Sequence, residues 1–246
     1  MAIFNYGRIM KKVKIIPNKE EALFCININK ATQNIPEWYK KSSQKIKGLE
    51  NFSLIPDKPQ TTTSTYKKCS PFLDALTNGY IFYLSQDIEV IKNEDGSPFI
   101  LWRNSTINPI SWHTNDQWDG LHLPDNCYNF VYKWENYFII KTPKKYSTLF
   151  THPHNRFDLP FYTLSGVVDT DRYVGPVQFP FFIKNNFTGI IKAGTPIAQM
   201  TFFKREYWFR KIYKNKTEYL KKMQFKFLSN IDRSYKNLFW EKKEYE

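Results

Sequence analysis

Long hydrophobic runs are missing from this chain: none of its 246 residues belongs to a stretch approaching the ~18 uninterrupted apolar residues of a membrane-spanning helix. The opening MAIFNYGRIMKKVKIIPNK also lacks the charged, apolar and small-residue order of a secretory signal, so the expectation is a soluble, intracellular protein with no membrane partner. Cysteine is scarce. Cys25, Cys69 and Cys127 are odd in number, widely spaced and form no C-x-x-C pair, so they point to neither zinc nor redox work and read as reduced thiols. Arginine is short too, at 7 against 29 lysines. The formal charge of +13 would ordinarily suggest an anionic partner such as nucleic acid. Lysine lacks the fork that reads phosphates and base edges, and the accompanying wealth of Asn, Ile, Phe and Tyr is what an AT-rich genome writes. Nucleic acid therefore stays open as a partner, with a solvated basic surface as the favoured reading.

What is present is apolar and aromatic: 41% hydrophobic and 18% aromatic residues, enough for one sizeable core with additions. Residues 11–29 hold two β-leaning runs around Pro17-Asn18-Lys19, which predicts a strand pair or a bent strand. Pro36 to Glu50 reads as a short surface helix, and Pro56 to Lys68 as an extended linker. CSPFLDALTNG is a helix signal, with Ser70 as N-cap, Pro71 at the first position and Gly79 as the stop. A hairpin turning on Asp95-Gly96 follows. Trp112, His113, Trp118 and His122 crowd an irregular stretch as either pocket lining or buried cover.

From Tyr128 onward come YNFVYKWE, NYFIIKTP, YSTLFTH, LSGVVDTD, VQFPFFI, FTGIIKAG and PIAQMTFF, short runs each closed by a turn residue. No helices alternate with them, which excludes a doubly wound sheet and predicts a mainly β (α+β) fold of roll, jelly-roll or barrel type. The predicted organisation is residues 1–67 as N-terminal strands, helix and linker, 68–203 as the β-roll core, and 204–246 as a basic helical tail. That tail has 13 basic and six acidic residues with apolar residues at loosely helical intervals. Its aromatics Tyr207, Trp208 and Phe209 either stack nucleic-acid bases or pack the tail onto the core or a second subunit, and packing is the preferred reading.

Two sets of side chains could carry chemistry. Asp169 and Asp171, in GVVDTDRYVG, are two apart and so share one face of an extended strand, where they could converge on a metal, a water or a ligand. Alternatively they are a satisfied polar turn, with Asp171 capping and Asp169 beside Arg172 or Arg156. His152 and His154 with Asp158 approximate the two-imidazole, one-carboxylate set of cupin metal sites, though Asp stands for Glu and no later histidine follows.

GVVDTDRYVG followed by AGTPIAQ resembles the end of a dUTPase or dCTP deaminase-type β-clip domain, over roughly residues 137–203. The resemblance implies a β-clip-like roll, Asp169 orienting a hydrolytic water, Tyr173 packing on a nucleoside, and Mg²⁺ if nucleotides are processed. It also implies that Gly194, Ile197, Ala198 and Gln199 form the strand after the turn. This chain departs from the family in its longer Arg172-Tyr173-Val174-Gly175 sequence, in having no Arg-Ser-Ser motif near Arg156, and in having no glycine-rich lid. The T-P-x-x-Y-S, L-x-G-V-V-D-T-D and G-x-P-I order is also similar to a phage and bacterial β-rich family without an assigned activity. Together these give the expected function: a non-catalytic phage-type β-roll protein, serving as a binding module or virion component, in the host cytoplasm or the virion. It would oligomerise through the tail or the roll. A dUTPase-like or deaminase-like enzyme using Asp169, with Tyr173, Arg156, Asp171 and Arg172 at its ligand site, is the alternative, and a cupin-like metalloprotein the third reading.

Overall fold

A computed structural model describes residues 11–25, 27–46, 65–103, 106–212, 217–228 and 234–245. Among them are strands β1 (Lys14–Pro17), β2 (Ile28–Lys30), β3 (Tyr80–Tyr83), β4 (Ile88–Lys92), β5 (Pro98–Trp102), β6 (Ile110–Trp112) and β7 (Tyr132–Trp134). Then come β8 (Phe138–Lys141), β9 (Tyr146–Thr151), β10 (Phe161–Thr163), β11 (Gly166–Val168), β12 (Phe179–Ile183), β13 (Gly189–Ile191) and β14 (Pro196–Lys204). The helices are α1 (Glu37–Lys41), α2 (Ser70–Thr77), α3 (Glu218–Leu228) and α4 (Ser234–Leu238).

The strands form four antiparallel sheets, in the orders β11-β9-β14-β3-β2, β10-β12-β7-β6, β13-β4-β5 and β1-β8. The fold is the mainly β, α+β class read from the sequence; among the described residues no sheet closes into a barrel. Every strand expected after Tyr128 is present. The Asp95-Gly96 hairpin joins β4 to β5, with Gly96 at φ +83°. The two runs of residues 11–29 are strands of different sheets rather than a mutual pair: β1 lies on β8, and a 3₁₀ turn over Glu20–Cys25 carries the chain away to β2.

Two units emerge from the contacts. The first, residues 11–29 and 80–205 of the described chain, contains the sheets. Its core is aromatic, because alternation in β7, β10 and β12 turns Tyr132 and Trp134, Phe161, and Phe179 and Phe181 to the buried side. Trp134 stacks on Phe181 with centroids 3.6 Å apart and an interplanar angle of 5°, and Phe161 meets the same indole edge-on at 4.9 Å. Phe179 then reaches across to Phe82 of β3 and Phe150 of β9, at 5.0 and 5.2 Å, which packs the four-stranded sheet on the five-stranded one. The buried indole is satisfied: Trp134 Nε1 donates to Thr163 Oγ1 at 3.2 Å, and that hydroxyl donates to the Ile197 carbonyl at 2.6 Å.

The second unit, within residues 30–79 and 206–246, is helical and held by local aromatic packing. Tyr39 of α1 stacks on Phe72 of α2 at 5.9 Å, with Trp38 and Tyr66 at the edges. Helix α2 starts at Ser70 with Cys69 in the cap position, one residue earlier than the sequence suggested, so the Ser70 side chain does not cap; Gly79 beyond its end has φ +72°. The last residues return to this helix: Trp240 Nε1 and Lys243 Nζ both donate to Asp74 Oδ2 at 2.8 Å. Most of the linker expected over 56–68 lies outside the described residues, and Tyr66–Lys68 at its end form a 3₁₀ turn.

Truncating Trp134 to Ala removes a side chain with 0% exposure on which Phe161 and Phe181 pack, and the expected loss is about 3–5 kcal/mol of unfolding free energy, measured by urea denaturation with far-UV circular dichroism.

Candidate functional site

The Asp169-Thr170-Asp171 turn follows β11, which hydrogen-bonds to β9, which in turn lies on β14. The strand ends at Val168, and it is a turn, closed by the Arg172 N–H on the Asp169 carbonyl at 2.8 Å, that brings the two carboxylates together while Thr170 is buried. Thr170, with 0% exposure, sits in a hydroxyl ladder: its Oγ1 is 2.8 Å from Thr142 Oγ1 and 2.7 Å from Thr148 Oγ1, and Thr142 Oγ1 donates to the Tyr146 carbonyl at 3.1 Å. The carboxylates converge, but on a cation. Arg205 forks onto Asp171 through Nη1–Oδ1 at 2.9 Å and Nη2–Oδ2 at 2.5 Å. The same Nη1 lies 3.0 Å from Asp169 Oδ1 and donates to Ser147 Oγ at 2.9 Å. Ser147 Oγ then donates to Asp169 Oδ1 at 2.7 Å.

The backbone completes the clamp. Lys145 holds the left-handed conformation, φ +72°, and so aims its N–H at Asp171 Oδ2, 2.8 Å away. Its carbonyl receives the Arg205 N–H at 2.8 Å. The Asp171 side chain is only 4% exposed, and the guanidinium hydrogen bonds, aided by the Lys145 N–H, hold its carboxyl down at about 2. Asp169 is more open, its side chain 49% exposed.

The satisfied-turn reading of the two acids thus gains its geometry, with a different cation. Arg172 is exposed, and its N–H donates to the Asp169 carbonyl at 2.8 Å. Arg156 is turned to Asp158 in a two-bond fork, Nε–Oδ1 and Nη2–Oδ2 both 2.9 Å. Arg205 went unread because it was counted as the start of the basic tail. In a chain this poor in arginine, one immediately after a strand was the available signal.

Tyr173 is fixed over Gly175, where a Cβ would meet its hydroxyl at 2.6 Å, and its carbonyl accepts from Lys141 Nζ at 2.8 Å. It lines an open pocket of about 320 Å³ with His113, Lys133, Val168, Pro176, Val177, Gln178 and Pro180. Neither Asp169 nor Arg156 is among the lining residues, so the five residues expected at one ligand site are not gathered in this pocket. The AGTPIAQ segment does form the strand after a turn: Gly194 has φ +80°, and Ile197, Ala198 and Gln199 are buried in β14, with Gln199 Oε1 accepting the His154 N–H at 2.8 Å. Of the crowded Trp/His stretch, His113 packs edge-on to Trp118 at 4.9 Å while Trp112 is 60% exposed.

The histidine set does not fit a metal. His152 Nδ1 accepts the Thr163 N–H at 3.2 Å, which leaves the ring proton on Nε2, donating to the Arg156 carbonyl at 3.0 Å. Both ring nitrogens are consumed, Asp158 is held by Arg156, and burial pushes the His152 and His154 imidazoles below their ordinary value. Among the described residues no group of three or more His, Cys, Asp or Glu is placed to hold an ion.

The chain matches no protein-family model, no curated protein and no solved structure.

An Asp whose folded pKa is depressed stabilises the fold above its unfolded value and loses that contribution as the pH falls through its folded value. For Asp171 the stabilisation is complete above about pH 4 and is lost toward about pH 2. The thermal midpoint is expected to fall across that window in the native protein, and Asp171→Asn to lower it at neutral pH while flattening the acid dependence. Arg205→Leu should destabilise more than Arg210→Leu in the same melts, because Arg210 is exposed outside the clamp.

Proposed function

We propose that the protein is a non-catalytic, β-rich binding module or structural component of the phage type that its motif order resembles. The observation that carries this reading is the Arg205 clamp. A general base or water-orienting carboxylate needs its lone pairs directed at a substrate and a pKa near working pH. Asp171 is committed to a guanidinium with its pKa held at about 2, and Asp169 Oδ1 is committed to Arg205 and Ser147. Triphosphate chemistry also needs converging cations or N–H groups that cradle developing charge. Arg156, the cation nearest in sequence to the family's phosphate motif, is neutralised by Asp158.

A second reading keeps nucleotide processing, as a dUTPase-like or deaminase-like enzyme with Mg²⁺, and the half-exposure of Asp169 favours it. The cupin-like reading draws no support from His152, whose two nitrogens are spoken for.

Incubation with a panel of deoxynucleoside triphosphates and Mg²⁺, followed by chromatography of the products, is expected to give no turnover above the protein-free blank. Turnover that disappears in Asp169→Asn would replace the binding reading with the enzymatic one.

A further inference from the structure

Tyr207, Trp208 and Phe209 were expected to pack on the core or on a second subunit; in the single chain they are 93, 84 and 78% exposed, and Ile212 after them is 74% exposed. The physical reason is local. These residues lie outside any helix or strand, so no periodicity gathers them on one face to dock. Exposed Arg210 interrupts the apolar run, and Lys211 follows it. Farther along, α3 exposes Tyr219 at 67% and Phe225 at 74%. Lys221 and Lys222 precede Phe225 by four and three residues, so the ring and both ammonium groups share one helix face. Among the described residues Lys221 pairs with Glu218 at 3.8 Å, between side chains 63% and 72% exposed, and a phosphate can displace such a pair.

From this arrangement we infer that residues 207–212 and helix α3 form a platform for single-stranded nucleic acid. The inference rests on the binding-module reading above and names its partner. Three observations select that partner. The chain carries +13, and residues 204–246 hold 13 basic against six acidic residues, which attracts a polyanion and opposes a second copy of the same charge. Lipid surfaces take rings on a helix's apolar face, whereas Phe225 stands on the basic face with Lys221 and Lys222. Exposed aromatic rings stack on unpaired bases, which a duplex keeps stacked internally, and lysines neutralise phosphates as point charges without reading base edges. Binding is therefore to single strands, with little sequence preference.

The test is fluorescence anisotropy of a labelled oligothymidylate with the full chain at rising salt. The expected result is binding whose log affinity falls linearly with log salt, a weaker response to the matching duplex, and a loss of about tenfold in each of Trp208→Ala and Phe225→Ala. Both side chains are exposed, so the variants should melt with the parent. Failure to bind at low salt overturns the proposal, as does affinity unchanged in both variants. Preferential binding to phosphatidylserine vesicles, or a dimer in light scattering that Trp208→Ala dissolves, overturns it in favour of a membrane or a second copy. An inert protein that ignores the oligonucleotide loses only this partner, whereas Asp169-dependent triphosphate turnover removes the binding-module reading itself.

Discussion

One guanidinium ties together three stretches of chain that are distant in sequence. Arg205 follows β14, Asp169 and Asp171 follow β11, and Lys145 precedes β9, which Tyr146 and Ser147 open. A carboxylate nearly stripped of water, as Asp171 is at 4% side-chain exposure, is tolerated only when its lone pairs are filled. Here the two Arg205 bonds and the Lys145 N–H fill them. The demand runs back into the backbone, because only the left-handed turn at Lys145 presents that N–H. The Thr142–Thr170–Thr148 ladder then fastens the other side of the same turn, so the DTD segment is gripped from both faces.

Behind the clamp the aromatic core sets the sheet packing. Phe179 and Phe181 are two residues apart on one side of β12, yet they serve different neighbours: Phe181 stacks on Trp134 within its own sheet, and Phe179 reaches β3 and β9 of the other. The side chain that satisfies the indole, Thr163, also bonds the carbonyl of Ile197, a residue of the other sheet. Polar satisfaction and apolar packing thus fix the same registration of the two layers.

Local features were legible in the sequence. The Asp95-Gly96 hairpin, helix α2 with its glycine stop, and the strands closed by turn residues all depend on interactions within a few residues, and each appears at its expected place. The nearness of Asp169 and Asp171 was legible too, although a turn after β11 brings them together rather than the strand alternation expected. What they meet was not, because Arg205 is 34 residues from Asp171 and its placement follows from β14 pairing with β9, a non-local choice. The helical docking of Trp240 and Lys243 on Asp74 bridges a still longer separation. Residue type alone does not bury Tyr207 to Phe209 within the chain, because they lie outside any helix or strand that could present them to a partner surface.

Charge completes the contrast between the two regions. In the sheet unit the charged groups best placed for chemistry neutralise one another: Arg205 with Asp169 and Asp171, Arg156 with Asp158, and Lys192 with Asp87 at 2.8 Å. A charge paired at close range presents a weaker field to its surroundings than a lone one. The basic excess after residue 205 is not cancelled in this way, since acids there are too few to match the lysines and arginines. Fields add over many uncompensated charges and act at the range of a Debye length, about 8–10 Å at ordinary salt. The proposed binding role draws on that excess, because a polyanion meets many such charges at once.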